Sequence, residues 1–469
     1  MIARKTCDYM PQNENADAVP RFAVARMPIG SSMELKALRK DMSPLEESFT
    51  KRQIDIKILD SFKKKDEEWR TALAKLEAYR KEKNRISLEI VKNKGDEKLL
   101  DEAKAIEKSK AELEEAEKRI SEERDNLLLN LPNLVNPLQP VDEAKTLAFV
   151  GVPKVDAKRV AEFKEQYQGV NYVEAKNTKK QYDIIKEYAL VDEEKGADLA
   201  GARFYYKLNE LTVLDLALSL HAIKILRKQG FTTITPPYLV KKYVEAMATT
   251  LDAFEEAIYK IEGEDLYLIP TAEHPIAAFN HGTTFAEKDL PLRYGGFSAS
   301  FRKEAGAHGK DTKGIYRNHH FNKVEQYIIC TPEQVEDGVN LVVQNQTQLI
   351  RSLNIPCRAI LMPTWDMDKK AVFHIDVEGW FPGQNRYGEL GSHASVGSWQ
   401  AARLNMKYVP SGKEDSQYVH TIYGTMVPVE RTLACMLENN LDDDGIIHIP
   451  KVLADLSGID EIKPLPKNR

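Results

Sequence analysis

Leu99, Ile106, Leu113, Ile120 and Leu127 recur at seven-residue intervals, with Ala103 at one of the positions between them. An apolar residue every seven, sustained over successive steps, is the seam of a coiled-coil helix. Upstream, Leu59, Phe62, Trp69, Leu73, Leu76, Ile86 and Ile90 keep a looser version of that period. Asn93-Lys94-Gly95-Asp96 stands between the two runs and reads as a turn. The whole stretch from about Ile54 to Leu128 is charged and almost free of Gly and Pro. It predicts two helices folded back on each other, an arm about 50–60 Å long at 1.5 Å per residue.

After the arm the pattern changes. Pro132, Pro137, Pro140 and Pro153 interrupt any helix, which places a domain boundary near residue 150. Helices are predicted at Lys158–Tyr167 and Lys180–Tyr188, a strand at Ala202–Leu208, and an apolar helix at Leu211–Gln229 stopped by Gly230. Phe231–Val240 is β-branched, then interrupted by Pro236 and Pro237, as expected of an edge strand. Phe301–Gln326 alternates apolar and polar residues at both ends of a polar loop containing Gly306, Gly309 and Gly314, which predicts two strands and a long connection. The expected architecture is α+β, an antiparallel sheet flanked by helices with an N-terminal helical-hairpin arm. Its divisions are a disordered extension at 1–32, an arm-bearing domain at 33–150 (arm about 54–128) and a second domain at 151–469.

A formal net charge of −5 over 469 residues means that nucleic-acid contact must come from a local basic surface. Lys81, Lys83, Arg85, Lys92, Lys94 and Lys98 gather near the arm tip, whereas Glu112, Glu114, Glu115 and Glu117 lie nearer the body. That asymmetry favours a phosphate backbone at the tip over a merely solvated face. Cys7, Cys330, Cys357 and Cys435 show no CxxC spacing, which points to reduced thiols and away from a cysteine zinc site. No apolar run reaches eighteen residues, so no membrane span is expected. Residues 1–32 lack the apolar core of a secretory signal and mix Arg4, Lys5, Arg21 and Arg26 with Asp8, Glu14 and Asp17. A cytoplasmic protein is expected, with a mitochondrial presequence as the alternative and Met33 as an alternative natural start.

Candidate chemistry concentrates in three places. Arg302 and Glu304, two apart, share a face if they continue the strand; a fork-shaped cation beside an acid suits a phosphate or a surface ion pair. Thr271 and Glu273 end the apolar run Leu266–Glu273; they suit a small ammonium-bearing ligand or the cap of a following helix. Thr425 and Arg431 sit six apart across a strand-to-helix junction.

The run FRKEAGAHGKDTKGIYRNHHFNKVEQ (Phe301–Gln326) resembles motif 2 of class II aminoacyl-tRNA synthetases, and more narrowly the seryl-tRNA synthetase pattern FR-x-EAGA-x-G-x-DT-x-G-(I/L)-x-R-x-HQF-x-KVEQ. The segment around Pro236–Pro237 is similar to motif 1, TAE at Thr271–Glu273 to the amino-acid-binding signature, FHIDVEGWFPGQNRYGELGS to the block that contacts ATP and magnesium, and HTIYGTMVPVERTL to motif 3. The resemblance spans about Met33 to Leu465 and implies activation of L-serine by ATP, with Mg2+, followed by transfer to serine tRNA, with selenocysteine tRNA as a further candidate. It implies ATP contacts at Arg302, Glu304, Asn318, Phe321, Glu389, Ser392 and Arg431. Magnesium falls to Glu389 and Ser392, and serine to Thr271, Glu273, Arg302, Glu325 and Thr425. Arg302, Glu389 and Arg431 carry the chemistry. It further implies a homodimer and an arm that grips tRNA through its tip, by Lys81, Lys83, Arg85, Lys92 and Lys94.

Four positions depart from the pattern. His320 stands for glutamine, Tyr423 for asparagine and Glu430 for glycine, and Ser395–Ser398 lacks the usual asparagine and aspartate. They motivate an alternative, a paralogue with impaired charging that serves as an RNA- or protein-binding module. A carrier-protein ligase is a third reading, disfavoured by the heptad arm.

Overall fold

The computed structural model describes residues 21, 39–93, 97–250, 257–304 and 313–464. Of the segments read above, the 1–32 extension (Arg21 apart), Lys94, and Gly306 with Gly309 lie outside the described residues.

A short helix α1 (Ser43–Lys51) leads to α2 (Lys57–Lys92) and α3 (Glu97–Asn130), which form the expected antiparallel arm. The 36 residues of α2 extend about 54 Å. Leu59, Phe62, Asp66, Leu76, Tyr79 and Ile86 are its buried positions, close to a 3.5-residue period. Asp66 and Tyr79 escaped the sequence reading because both are polar, yet both complete the seam. Asp66 accepts from Arg39 Nε and Nη2 at 2.8 and 2.6 Å, and Tyr79 OH donates to Glu107 Oε2 at 3.1 Å. At the arm's base Arg124 lies over the Trp69 ring at 3.9 Å, and Trp69 Nε1 donates to Glu117 Oε1 at 2.8 Å. The tip is less freely basic than composition suggested. Lys83 pairs with Glu107 at 2.8 Å, and Arg85 pairs with Glu82 and Glu89 at 2.5 and 2.8 Å.

Eight strands build the main sheet: β1 (Lys145–Val150), β2 (Thr232–Ile234), β3 (Leu292–Phe301), β4 (His320–Cys330), β5 (Cys357–Leu361), β6 (Phe373–Phe381), β7 (Arg386–Gly397) and β8 (His420–Pro428). Their spatial order is β1-β5-β6-β7-β8-β4-β3-β2, antiparallel throughout except for the parallel β2–β3 pair. Helices α4 (Asn209–Lys228), α5 (Glu273–Ala278), α6 (Val335–Ser352) and α7 (Val429–Asn440) flank it. On one face Leu214 and Leu218 of α4, Val339 and Val343 of α6 and Leu433 of α7 pack on Val324, Ile328, Ile375, Ile422 and Met426, forming the main core. The other face receives α5 and the turn of helix at Trp399–Arg403, against Tyr327, Ala394, Val396 and Tyr423. Period-two alternation is thus satisfied twice, since the residues between the core positions of β4 and β8 point to the second face.

Several expected boundaries move. The division at 150 falls after the first strand of the sheet, because β1 pairs with β5 from Lys145 to Val150. The proline-rich stretch before it is packed down: Leu131 and Leu134 are buried, and Asn133 Nδ2 donates to Lys370 O and Val396 O at 2.8 and 2.7 Å. The strand expected at Ala202–Leu208 shrinks to Tyr206–Lys207, where Arg203 turns the chain at φ 66°. Phe231–Val240 splits around Pro236–Pro237 into β2 and a separate pair at Leu239–Val240. The first strand of the motif 2 hairpin ends at Phe301, so Arg302 and Glu304 lie beyond it, with Glu304 at φ 49°. Glu273 opens α5, in keeping with the helix-start alternative read for Thr271 and Glu273. Among the described residues no helix is long and apolar enough to cross a membrane.

Candidate active site

A cavity of about 430 Å³ opens on the second face of the sheet, and every residue assigned above to ATP, magnesium or serine lines it. The register explains how residues so distant in sequence meet. Lys323, Glu325 and Tyr327 of β4 stand opposite Pro428, Thr425 and Tyr423 of β8; on the next strands Ser392 stands opposite Asp376, and Ala394 opposite Tyr423. These side chains form a floor with two ends.

At one end Arg302, fixed through its N–H to His319 O at 2.9 Å, lies over Phe321 at 5.3 Å and donates from Nε to Pro270 O at 3.2 Å. Burial, then the neighbouring Arg431 against the pull of Glu304, brings the Arg302 pKa below its ordinary value. Glu304 pairs with Arg317. Asn318 Nδ2 donates to Ile315 O at 2.7 Å, and its buried Oδ1 has no hydrogen-bond partner among the described residues. Arg431 Nη1 lies 3.1 Å from Glu389 Oε1 and its guanidinium covers the Tyr316 ring at 4.6 Å. Arg431, more than burial opposes it, holds the Glu389 carboxyl below the usual range, with Arg302 and Lys323 adding to the effect. The end is therefore a walled anion site with an ionised acid inside it.

At the other end Thr271 Oγ1 donates to Glu325 Oε1 at 2.6 Å, and Lys323 pairs with the same carboxylate. Glu325 Oε2 is buried with no hydrogen-bond partner among the described residues, an acceptor free for a donor from a ligand. Glu273 is less available: Gln400 Nε2 donates to its Oε1 at 2.8 Å and Lys370 Nζ lies 2.9 Å away. The sequence reading missed Lys370, Asp368 and Gln400. The run DMDKK at Asp366–Lys370 looks like a solvated loop, and only the fold turns it inward.

Of the departures from the family pattern, Tyr423 and Glu430 line the cavity and His320 does not. His320 stacks on Phe301 at 5.2 Å and does not line the cavity. Glu430 is buried and turned to Lys207 Nζ (2.9 Å) and the Asn322 N–H (2.9 Å). Lys207 answers its carboxylate there, while Arg431 keeps Glu389 as its own partner. Glu430→Gln is expected to leave ATP–pyrophosphate exchange within about threefold of wild type, and to lower stability by roughly 1–3 kcal/mol through the weakened Lys207 pair. Thermal unfolding alongside exchange kinetics checks this; a tenfold loss of exchange at unchanged stability contradicts it.

Among the described residues no three His, Cys, Asp or Glu side chains converge as a metal cluster. Glu389 and Ser392 are oxygen donors, the first kept ionised and the second 2.6 Å from His374 Nε2. A hard cation that keeps water and phosphate oxygens asks only one or two ligands of the protein, so this donor set fits magnesium.

Residues 255–440 match the family model "tRNA synthetase class II core domain (G, H, P, S and T)", and residues 33–135 match "Seryl-tRNA synthetase N-terminal domain". The chain is 38% identical to the serine--tRNA ligase of Pyrococcus horikoshii over 447 residues, 93% of this chain and 98% of that one. It is 37% identical to the Thermoplasma volcanium enzyme of the same name over 440 residues, 92% of this chain and 99% of that one. The crystal structure of P. horikoshii seryl-tRNA synthetase complexed with ATP superposes with a TM-score of 0.85, covering 92% and 100% of the two chains. The cytoplasmic serine-tRNA ligase of Naegleria fowleri in complex with AMP gives 0.75 at 31% identity, covering 91% and 96%. Arm, sheet, cavity and these likenesses agree, and the chain belongs to the seryl-tRNA synthetase family of class II aminoacyl-tRNA synthetases.

Proposed function

We propose that this protein activates L-serine with ATP and transfers it to serine tRNA. The observation that carries the reading is the shared cavity, in which Arg302 and Arg431 flank one end while the unpaired Glu325 Oε2 marks the other. In the first step a serine carboxylate oxygen bonds to the α-phosphorus of ATP as the bond to pyrophosphate breaks. In the second, the 3′-terminal ribose hydroxyl of the tRNA attacks the acyl carbon and AMP leaves. Such chemistry asks for alignment and charge neutralisation more than for a protein nucleophile.

Arg302 would hold the α-phosphate and the serine carboxylate together, since its fork can bond both. Phe321 would stack on adenine, with Glu304 and Asn318 at its edge. Arg431 would give up Glu389 for the γ-phosphate and neutralise the leaving pyrophosphate. Magnesium, when bound, supplies further charge neutralisation at the phosphates, and Glu389 with Ser392 would hold it. Glu325 and Thr271 would take the serine ammonium, with Thr425 at the hydroxyl and Glu273 behind. A site that bonds that hydroxyl rejects alanine by leaving buried polar groups unpaired. The arm would reach the tRNA. A second copy of the chain would cover α4, whose Val213, Leu216 and Leu220 are exposed.

Incorporation of labelled pyrophosphate into ATP, with and without L-serine, tests the first step, and charging of serine tRNA the second. Folded protein showing no serine-dependent exchange overturns the reading.

A further inference from the structure

Outside every motif in the sequence, the amino-acid end of the cavity carries a second buried lysine. Lys370 Nζ lies 2.9 Å from Glu273 Oε1 and 3.5 Å from Asp368 Oδ2, and its side chain is 3% exposed. It sits 4.8 Å from the centre of the Tyr423 ring, and Tyr423 OH donates to Asp368 Oδ2 at 3.0 Å. Lys370, Asp368, Glu273 and Tyr423 all line the cavity. Tyr423 precedes Thr425 by two residues along β8, so this group stands about 7 Å from the rung that pairs Thr425 with Glu325.

The ammonium is charged and fixed. Burial disfavours it, but Asp368 and Glu273 hold its pKa above the ordinary value. Its backbone is pinned from the N-terminal half of the chain. Asn133 donates to Lys369 O and Lys370 O at 2.7 and 2.8 Å, and the buried Arg52 donates to Asp368 O at 3.2 Å and to Ala371 O.

We propose that Lys370 is a specificity-determining residue: its fixed ammonium closes the far end of the serine site and excludes amino acids whose side chains carry a second cation. A neutral hydroxyl meets carboxylates that already have a partner. A side-chain ammonium meets the buried like charge of Lys370, a repulsive element of the kind that makes sites selective. Without Lys370, Glu273 and Asp368 become two buried acids facing the substrate side chain, and they favour the very cations that the wild type refuses. This inference rests on the proposed activation of serine.

The test is pyrophosphate exchange by the full-length protein with L-serine, L-2,3-diaminopropionate and L-2,4-diaminobutyrate. The wild type is expected to exchange with serine alone. Lys370→Met is expected to raise kcat/KM for at least one diamino acid by about tenfold or more, while the serine value falls through KM. Lys370→Arg keeps the charge and is expected to keep the exclusion. Lys370→Gln retains donors for Glu273 and Asp368 and carries the same expectation as the methionine variant should that one fail to fold. A purely structural lysine costs serine activity on removal but admits nothing new. Folded Met and Gln variants that gain neither diamino acid, or an Arg variant that admits one, overturn the inference. A wild type inert towards serine overturns the functional reading instead.

Discussion

Replacing Arg302 with alanine is expected to cut serine-dependent pyrophosphate exchange by roughly a thousandfold or more, on the order of 4 kcal/mol of transition-state stabilisation. The size follows from position. At the nucleotide end Arg302 lies over Phe321, and its bond to Pro270 O ties it to the residue just before Thr271 of the amino-acid end. Both reactants bring negative charge to that point, and the developing charge on the α-phosphoryl oxygens has to be met there. Arg431 cannot substitute, because Glu389 and the Tyr316 ring hold it on the far side of the nucleotide end. Lysine at 302 keeps the charge but loses the fork, and about a hundredfold loss is expected to remain. Stability is expected to change little, since among the described residues the Arg302 side chain makes one hydrogen bond, to a backbone carbonyl. Exchange kinetics measured beside thermal unfolding separate these effects. An alanine variant that exchanges within tenfold of wild type removes Arg302 from the chemistry.

Most of the candidate site was readable before any fold was known, and the reason is local. Motif 2 packs Phe301 to Gln326 with chemistry-bearing residues at fixed offsets, and motif 3 does the same at Thr425 and Arg431. The arm was equally plain, because a heptad seam is periodic and needs no distant partner. Legibility stopped where a residue's role depends on contacts from elsewhere in the chain. Asp66 was unreadable because a buried carboxylate on a coiled-coil seam makes sense only with Arg39 beside it. Lys370 was unreadable for the same reason, since Glu273, Arg52 and Asn133, which pair with it or pin its loop, come from three separate segments. β1 was lost because the prolines around it suggested a linker, and only its partner β5 makes it a strand. Glu430 is the converse case: adjacent to Arg431 in sequence, its carboxylate bonds Lys207 and the Asn322 N–H instead.

Removing the outer arm is expected to separate the two steps of the reaction. The helices run antiparallel with Trp69 against Glu117 and Tyr79 against Glu107, so replacing Leu73–Leu113 by a short glycine-serine turn cuts them at matching heights. The arm base survives that cut, since Asp66 with Arg39 and Trp69 with Arg124 lie inside it. Leu59 and Phe62 also remain, packed in one cluster with Leu131 and Ala272 of the body. Serine-dependent exchange is therefore expected to stay within about threefold of wild type, while kcat/KM for charging serine tRNA falls by roughly a hundredfold, near 2.7 kcal/mol of lost RNA contact. Salt gives an independent readout, because each phosphate contact adds to the slope of log affinity against log salt. Wild-type charging should weaken steeply as salt rises, and the truncated protein should respond less. The tip cations do not contribute equally to that slope. Lys83 and Arg85 must leave Glu107, Glu82 or Glu89 to reach a phosphate, whereas Lys81 and Lys92 make no ion pair among the described residues. Charge reversal at Lys81 or Lys92 should thus weaken charging more than reversal at Lys83. If the shortened protein charges tRNA as fast as wild type, with the same dependence on salt, the arm does not hold the RNA.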